Sequence, residues 1–170
     1  MGKKSYSEIT ITEVVEKAKL GRATFYRNFE ALDDVLRMKS DETFNELYEY
    51  LLEYYKTNIY EDKNLTPIFL KPFLRFWYVK SSPIELLIKA NRLDIMNESF
   101  TNMFKLFLHH IDKSHAIIWS HLDYFIAIRS GMAINILIQW IKNDKNVPPD
   151  DLADLIVKQM KESFKLNLLL

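Results

Sequence analysis

The chain contains no cysteine. That excludes disulfides, thiolate metal sites and a cysteine nucleophile, and it suits a reducing compartment. Glycine is almost missing too: Gly2, Gly21 and Gly131 are all there is in 170 residues. The sequence therefore holds no glycine-rich phosphate loop, no Gly-x-Ser-x-Gly elbow and no Asn-Gly or Asp-Gly hairpin turn. An excess of one charge sign is lacking as well, with 23 Lys+Arg against 23 Asp+Glu. A protein that coats nucleic acid with its whole surface would be basic, so any such contact here has to be local. No signal peptide is visible at Met1.

What is present is a core-forming composition. Hydrophobic residues make up 48%, aromatic residues 14% and charged residues 27%, which describes a folded chain rather than a disordered or fibrous one. Apolar residues recur at helical spacing along most of the length, and with so few glycines this predicts an all-α protein. The most apolar window, Ala116 to Ile141, is interrupted by Asp123, Arg129 and Asn135. It reads as a buried helix rather than a membrane span.

The first helix is expected after Thr10. Thr10 and Glu13 have capping-box spacing, and Ile11, Val14, Val15 and Ala18 form one apolar face. Lys19-Leu20-Gly21 reads as a turn, and a second short helix runs from about Arg22 to Phe29. Phe25 and Phe29 lie four apart and share an inner face, with Leu20 supporting them from the turn. A longer helix is expected over about Leu32 to Tyr55, then a loop over Asn58 to Asn64. Prolines mark two further starts, at Thr66-Pro67 and Ser82-Pro83. Pro72 falls inside the first of these and should kink it. Another helix covers roughly Ile95 to Ile111. The last two span about Ala116 to Asn143, apolar nearly all round, and the segment after Val147-Pro148-Pro149.

Two short helices with a tight turn form a helix-turn-helix unit, whose second helix carries the base-reading residues. With Phe25 and Phe29 inward, Arg22, Ala23, Thr24, Tyr26, Arg27 and Asn28 face outward. Ala23 is small enough for close approach, Arg22 can pair with a guanine edge, and Thr24, Tyr26 and Asn28 can donate to phosphates. Up to Asn28 there are six basic residues (Lys3, Lys4, Lys17, Lys19, Arg22, Arg27) against three acidic ones (Glu8, Glu13, Glu16). Pattern alone leaves a second reading open, in which this is the solvated face of two ordinary helices.

The stretch Tyr6 to Phe29 resembles the DNA-binding signature of TetR-family transcriptional regulators. Ala23-Thr24-Phe25-Tyr26-Arg27-Asn28-Phe29 is close to the family's usual Gly-Thr-Phe-Tyr-x-His-Phe, and Leu36 falls where the fourth family helix places a leucine. The specific likeness covers about the first 40 residues. The resemblance implies a ligand-responsive transcriptional regulator, acting as a repressor: a homodimer on a palindromic double-stranded DNA operator in the cytoplasm, without a cofactor. It implies that Thr12, Arg22 and Ala23 approach bases, while Thr24, Tyr26 and Asn28 hold the backbone. The family has a helix ahead of Tyr6, for which Met1 to Ser5 are too few; either the sequence is a piece of a longer chain or the head lacks that helix, whose absence would expose Val14, Ala18 and Phe25. Lys19 stands where a turn glycine is usual, and a left-handed backbone there costs about 1 kcal/mol. Leu32 replaces a phosphate-contacting lysine. Ala31 replaces a polar cap, a loss of about 1 kcal/mol. The alternative is a TetR-like protein without independent DNA binding that acts through a protein partner.

The division expected is a DNA-binding part over residues 1–45 and an effector-binding and dimerisation part over residues 46–170. In the latter, Phe69, Phe73, Phe76, Trp77, Phe100, Phe104, Phe107, Trp119, Tyr124 and Phe125 either fill the core or surround a pocket for a small apolar or aromatic effector. Trp77, Phe104 and Tyr124 are the pocket candidates, with Arg75, Asn91 and Arg92 as sources of polarity. Ile126, Met132, Ile136, Trp140, Leu152 and Ile156 are the candidates for a dimer interface, the alternative being an intramolecular core. His109, His110, His115 and His121 lack a metal-binding spacing, and no catalytic constellation stands out, so neither a metal site nor an enzyme is expected.

Overall fold

The computed structural model describes residues 4–58, 65–111 and 121–166, the side chains of residues 65–68 and 164 excepted. Among these residues the protein is all-helical, with eight α-helices and no strand. A 3-10 turn, Tyr6–Glu8, comes first. It is followed by α1 (Ile11–Lys17), α2 (Arg22–Asn28), α3 (Leu32–Asn58), α4 (Leu65–Val79), α5 (Ser82–Lys89), α6 (Leu93–Ile111), α7 (Leu122–Lys142) and α8 (Pro149–Lys165).

Local chemistry sets most of the boundaries. At α1 the Glu13 N–H donates to Thr10 Oγ1 at 3.3 Å, and the Thr10 N–H donates to Glu13 Oε2 at 2.9 Å, so two otherwise unpaired donors are satisfied. Pro83 lies in the first turn of α5, where its missing N–H costs nothing. The residues ending α1 and α5 hand over to left-handed residues, Lys19 (φ 55°) and Asn91 (φ 56°). In each case the next N–H reaches back five residues: Leu20 to the Val15 carbonyl at 2.8 Å and Arg92 to the Leu87 carbonyl at 2.9 Å. α4 runs unbroken through Pro72.

α3 is the central element: it packs against α4, α5 and α6. α6 in turn carries α7, and α4 carries α8. The core forms where these helices meet. Leu47, Leu74, Trp77, Ile84, Ile95 and Met96 are wholly buried there. The Trp77 ring has edge-on contacts with Phe44, Phe73 and Phe76, at centroid distances of 5.2, 6.3 and 5.1 Å. Polar links fix the neighbours. Ser99 donates to Asp41 at 2.6 Å between α6 and α3. Arg75 Nε donates to Asp150 at 2.7 Å, and Lys71 pairs with Asp154 at 2.8 Å, both between α4 and α8. Lys145 donates to Ser81 Oγ at 2.7 Å, and the Trp140 indole donates to the Val147 carbonyl at 2.9 Å, which fastens the α7–α8 connection.

Two expectations need correcting, on the end of α3 and on the burial of α7. α3 reaches Asn58 rather than Tyr55, taking the first residue of the expected loop, and residues 59–64 lie outside the described residues. The expected start of the long helix at Ala116 also lies outside them, and α7 is described from Leu122. α7 is not buried all round: only 28% of its most apolar window is covered within the chain. Tyr124, Phe125 and Ile128 on it face solvent, because α6 packs against one side only. By length and composition α7 could cross a membrane, a test that core helices of soluble proteins also meet. The boundary drawn between residues 45 and 46 lies within α3, the long helix whose start the first part was expected to include.

Candidate nucleic-acid interface

α1 and α2 pack against each other, and their buried residues are Val15 and Phe25, 3% and 6% exposed. Phe25 is therefore buried, as its spacing with Phe29 predicts, and not exposed as the lack of a preceding helix would imply. Its ring lies 5.5 Å from those of both Tyr26 and Phe29, which supply part of its cover. Val14 is half-buried and Ala18 exposed. Leu20 does not support Phe25: it is 54% exposed, because the left-handed turn at Lys19 swings it outward.

The outer side of this pair carries the sequence candidates. Arg22, Ala23, Tyr26, Arg27 and Asn28 are exposed, while Thr12 and Thr24 are half-buried. The Asn28 amide donates to the Thr24 carbonyl at 2.8 Å, which leaves one N–H for an outside acceptor. Lys4 pairs with Glu13 and, with the Thr10 N–H and hydroxyl, holds that carboxyl down at about 2. Among the described residues Lys17, Lys19, Arg22 and Arg27 form no ion pair, so the face keeps its positive charge.

Two anchors hold the pair to the body, and sequence reasoning missed both. Tyr6 packs on the main core and its hydroxyl donates to Asp33 at 2.7 Å. Asp33 also pairs with Arg92, which binds Asp94 through Nε at 3.0 Å and Nη2 at 2.8 Å. The second anchor is Asp34. Its carboxylate accepts the N–H groups of Glu30 at 2.8 Å and Ala31 at 2.9 Å, and these bonds lower its pKa. The cap lost at Ala31 is thus supplied from inside the first turn of α3. A carboxylate three residues after the missing cap was the available signal.

In the body, a cavity of about 360 Å³ opens between α3, α4, α6, α7 and α8. Phe104 lines it, as do Phe69, Phe73, Phe100, Phe107 and Phe125. Two pocket candidates are corrected. Trp77 is fully buried in the core, one ring behind the wall, because Phe44, Phe73 and Phe76 enclose it. Tyr124 is 72% exposed on the outer side of α7. Phe76 also belongs to the core, and Trp119 lies outside the described residues. Arg75, Asn91 and Arg92 do not reach the lining; the charged residue that does is Arg129. Its spacing from Phe125, Met132, Ala133 and Ile136 on one helical face could have pointed to it.

The interface candidates divide in the same way. Ile126 and Trp140 are 3% and 4% exposed within the single chain, since they point back at the body from α7, so neither is free for a partner. Met132, Ile136 and Ile156 line the cavity, and Leu152 packs on the core. Among the described residues the large apolar groups left facing solvent on α7 and α8 are Tyr124, Phe125, Ile128 and Leu155. His109, His110 and His121 are exposed and His115 lies outside the described residues.

No protein-family model, no curated protein and no solved structure matches the chain.

Proposed function

We propose that the chain is a ligand-responsive transcriptional regulator of the TetR type, a repressor that binds a palindromic operator as a homodimer in the cytoplasm. The observation that carries this reading is the two-sided character of α2. Phe25 and Phe29 face inward, while Arg22, Ala23, Tyr26, Arg27 and Asn28 are presented on a locally basic surface. The outer residues have the chemistry of a groove-reading helix: a fork for guanine, a small residue for approach and donors for phosphate. The uncovered apolar side of α7 supports a second copy as the partner, with Tyr124 and Ile128 at its centre. The cavity supports a small apolar or aromatic effector. The effector acts by preferring the arrangement in which two heads cannot match successive major grooves, and operator affinity falls by that difference.

Fluorescence anisotropy on an operator selected from random duplexes tests the reading. Affinity is expected to fall steeply with salt, because phosphate contacts release counterions. A salt-independent response, or no selected sequence, counts against it. The second reading, a regulator that acts through a protein partner without binding DNA alone, draws on two details. The Asn28 amide is half used inside its own helix, and Leu32 offers no charge to a phosphate.

A further inference from the structure

Among the described residues, the lining of the cavity among α3, α4, α6, α7 and α8 is apolar with one exception. Its floor is formed by buried rings and chains, among them Phe73, Phe100, Met103 and Phe107. Its rim includes Phe125, 38% exposed, and the half-buried Arg129. The Arg129 guanidinium lies over the Phe125 ring, 5.3 Å from its centroid. Among the described residues no carboxylate pairs with Arg129. An arginine laid on an aromatic face has its planar fork held in place, with N–H groups left for a ligand that brings two acceptor oxygens.

We infer that the cavity takes a monoanionic amphiphile: a carboxylate on an apolar chain or ring, with its head on Arg129 and its tail among the phenylalanines. The inference rests on the reading of this cavity as the effector site, and it narrows the ligand class. A neutral apolar molecule would fill the floor equally well but would leave the guanidinium without its partner. A cationic amphiphile would be repelled at the rim. The cavity lies at the small end of the range for ligand sites, roughly 300–1,000 Å³, which favours a medium-length chain or a two-ring acid.

Calorimetry with decanoate, decanol and decyltrimethylammonium tests the head group, and 2-naphthoate against 2-naphthol separates ring from chain. Each acid, or one of the two, should bind roughly tenfold or more tightly than its alcohol, and the ammonium compound least. Arg129→Gln should bring acid and alcohol to similar affinity, while Arg129→Lys should keep part of the preference. Circular dichroism melts verify that both variants fold. Equal binding of acids and alcohols to the unaltered protein overturns the inference, as does an acid preference that survives Arg129→Gln. If no compound binds and none displaces the neutral dye N-phenyl-1-naphthylamine, the effector site itself is wrong. Operator binding by the ligand-free protein is measured separately. Its absence removes the DNA-binding reading and leaves the acid preference standing.

Discussion

The Tyr6 hydroxyl donates a 2.7 Å hydrogen bond to Asp33, a residue 27 positions further along the chain. The bond closes the N-terminal segment onto the first turn of α3, and it does so beside Arg92 from the α5–α6 connection. Removing the hydroxyl leaves the ring's packing in place and deletes a bond to a charged acceptor. Tyr6→Phe should cost about 1–2 kcal/mol in urea unfolding. It should also weaken operator binding, because the head loses a tether without losing a reading residue. An unchanged unfolding midpoint would show the bond to be incidental.

Acid should loosen this region, and the contact between α4 and α8 as well. Lys4 and the Thr10 groups hold Glu13 at about 2, Arg92 holds Asp94 at about 2, and Arg75 lowers Asp150. In the unfolded chain such groups titrate near about 4. The folded state therefore binds fewer protons in between. The stability these groups contribute is fully present above about pH 4 and is lost as pH falls toward about 2. Melting temperature followed by circular dichroism should decline through that window. The groups are exposed, so the decline should be shallower in high salt. A flat profile would contradict the assigned contacts.

On DNA, Arg22 and Tyr26 should fail differently. Arg22→Ala should relax preference at one base pair, with a loss of about 1–3 kcal/mol of discrimination. Tyr26→Phe should weaken all sequences nearly alike. Anisotropy titrations on the selected operator and its single-base variants separate the two patterns. If neither variant changes binding, α2 is not the reading helix.

The outer and inner sides of α7 give a matched pair of tests. Ile128 is 63% exposed in the protomer, so Ile128→Glu should turn a dimer into a monomer in sedimentation while leaving the protomer folded. Trp140 is 4% exposed and bonded to the Val147 carbonyl, so Trp140→Ala should cost about 3–5 kcal/mol of protomer stability. A monomer already in the unaltered protein at micromolar concentration would rule out the assembly.

What could be read from the chain was mostly what is decided within a turn of helix. The Thr10–Glu13 box and the proline start at Ser82-Pro83 follow from short-range sterics and hydrogen bonds, and both are in place. The inward Phe25 follows from its spacing with Phe29. Trp77 and Tyr124 could not be told apart in this way. Both are aromatic residues on apolar helices, and one is enclosed while the other is bare because of which helix lies opposite. Ile126 and Trp140 were misplaced for the same reason: spacing identifies a face but not what covers it. Tyr6–Asp33 and the Arg129 rim depend on partners from distant segments or on a neighbouring aromatic ring, and composition has no access to either.

α3 is one uninterrupted rod of 27 residues, about 40 Å from end to end. Leu51, toward one end, forms part of the cavity wall, and Leu32 at the other end begins the helix, with three residues separating it from Asn28, where the short helical pair ends. The two are separated by about 28 Å of helix, so a pivot of about 5° at Leu51 displaces Leu32 by roughly 2–3 Å. That is close to the roughly 3.4 Å step between stacked bases. If the helical pair reads DNA as proposed, a push of that size on the cavity end of the rod would be enough to put the other end out of register.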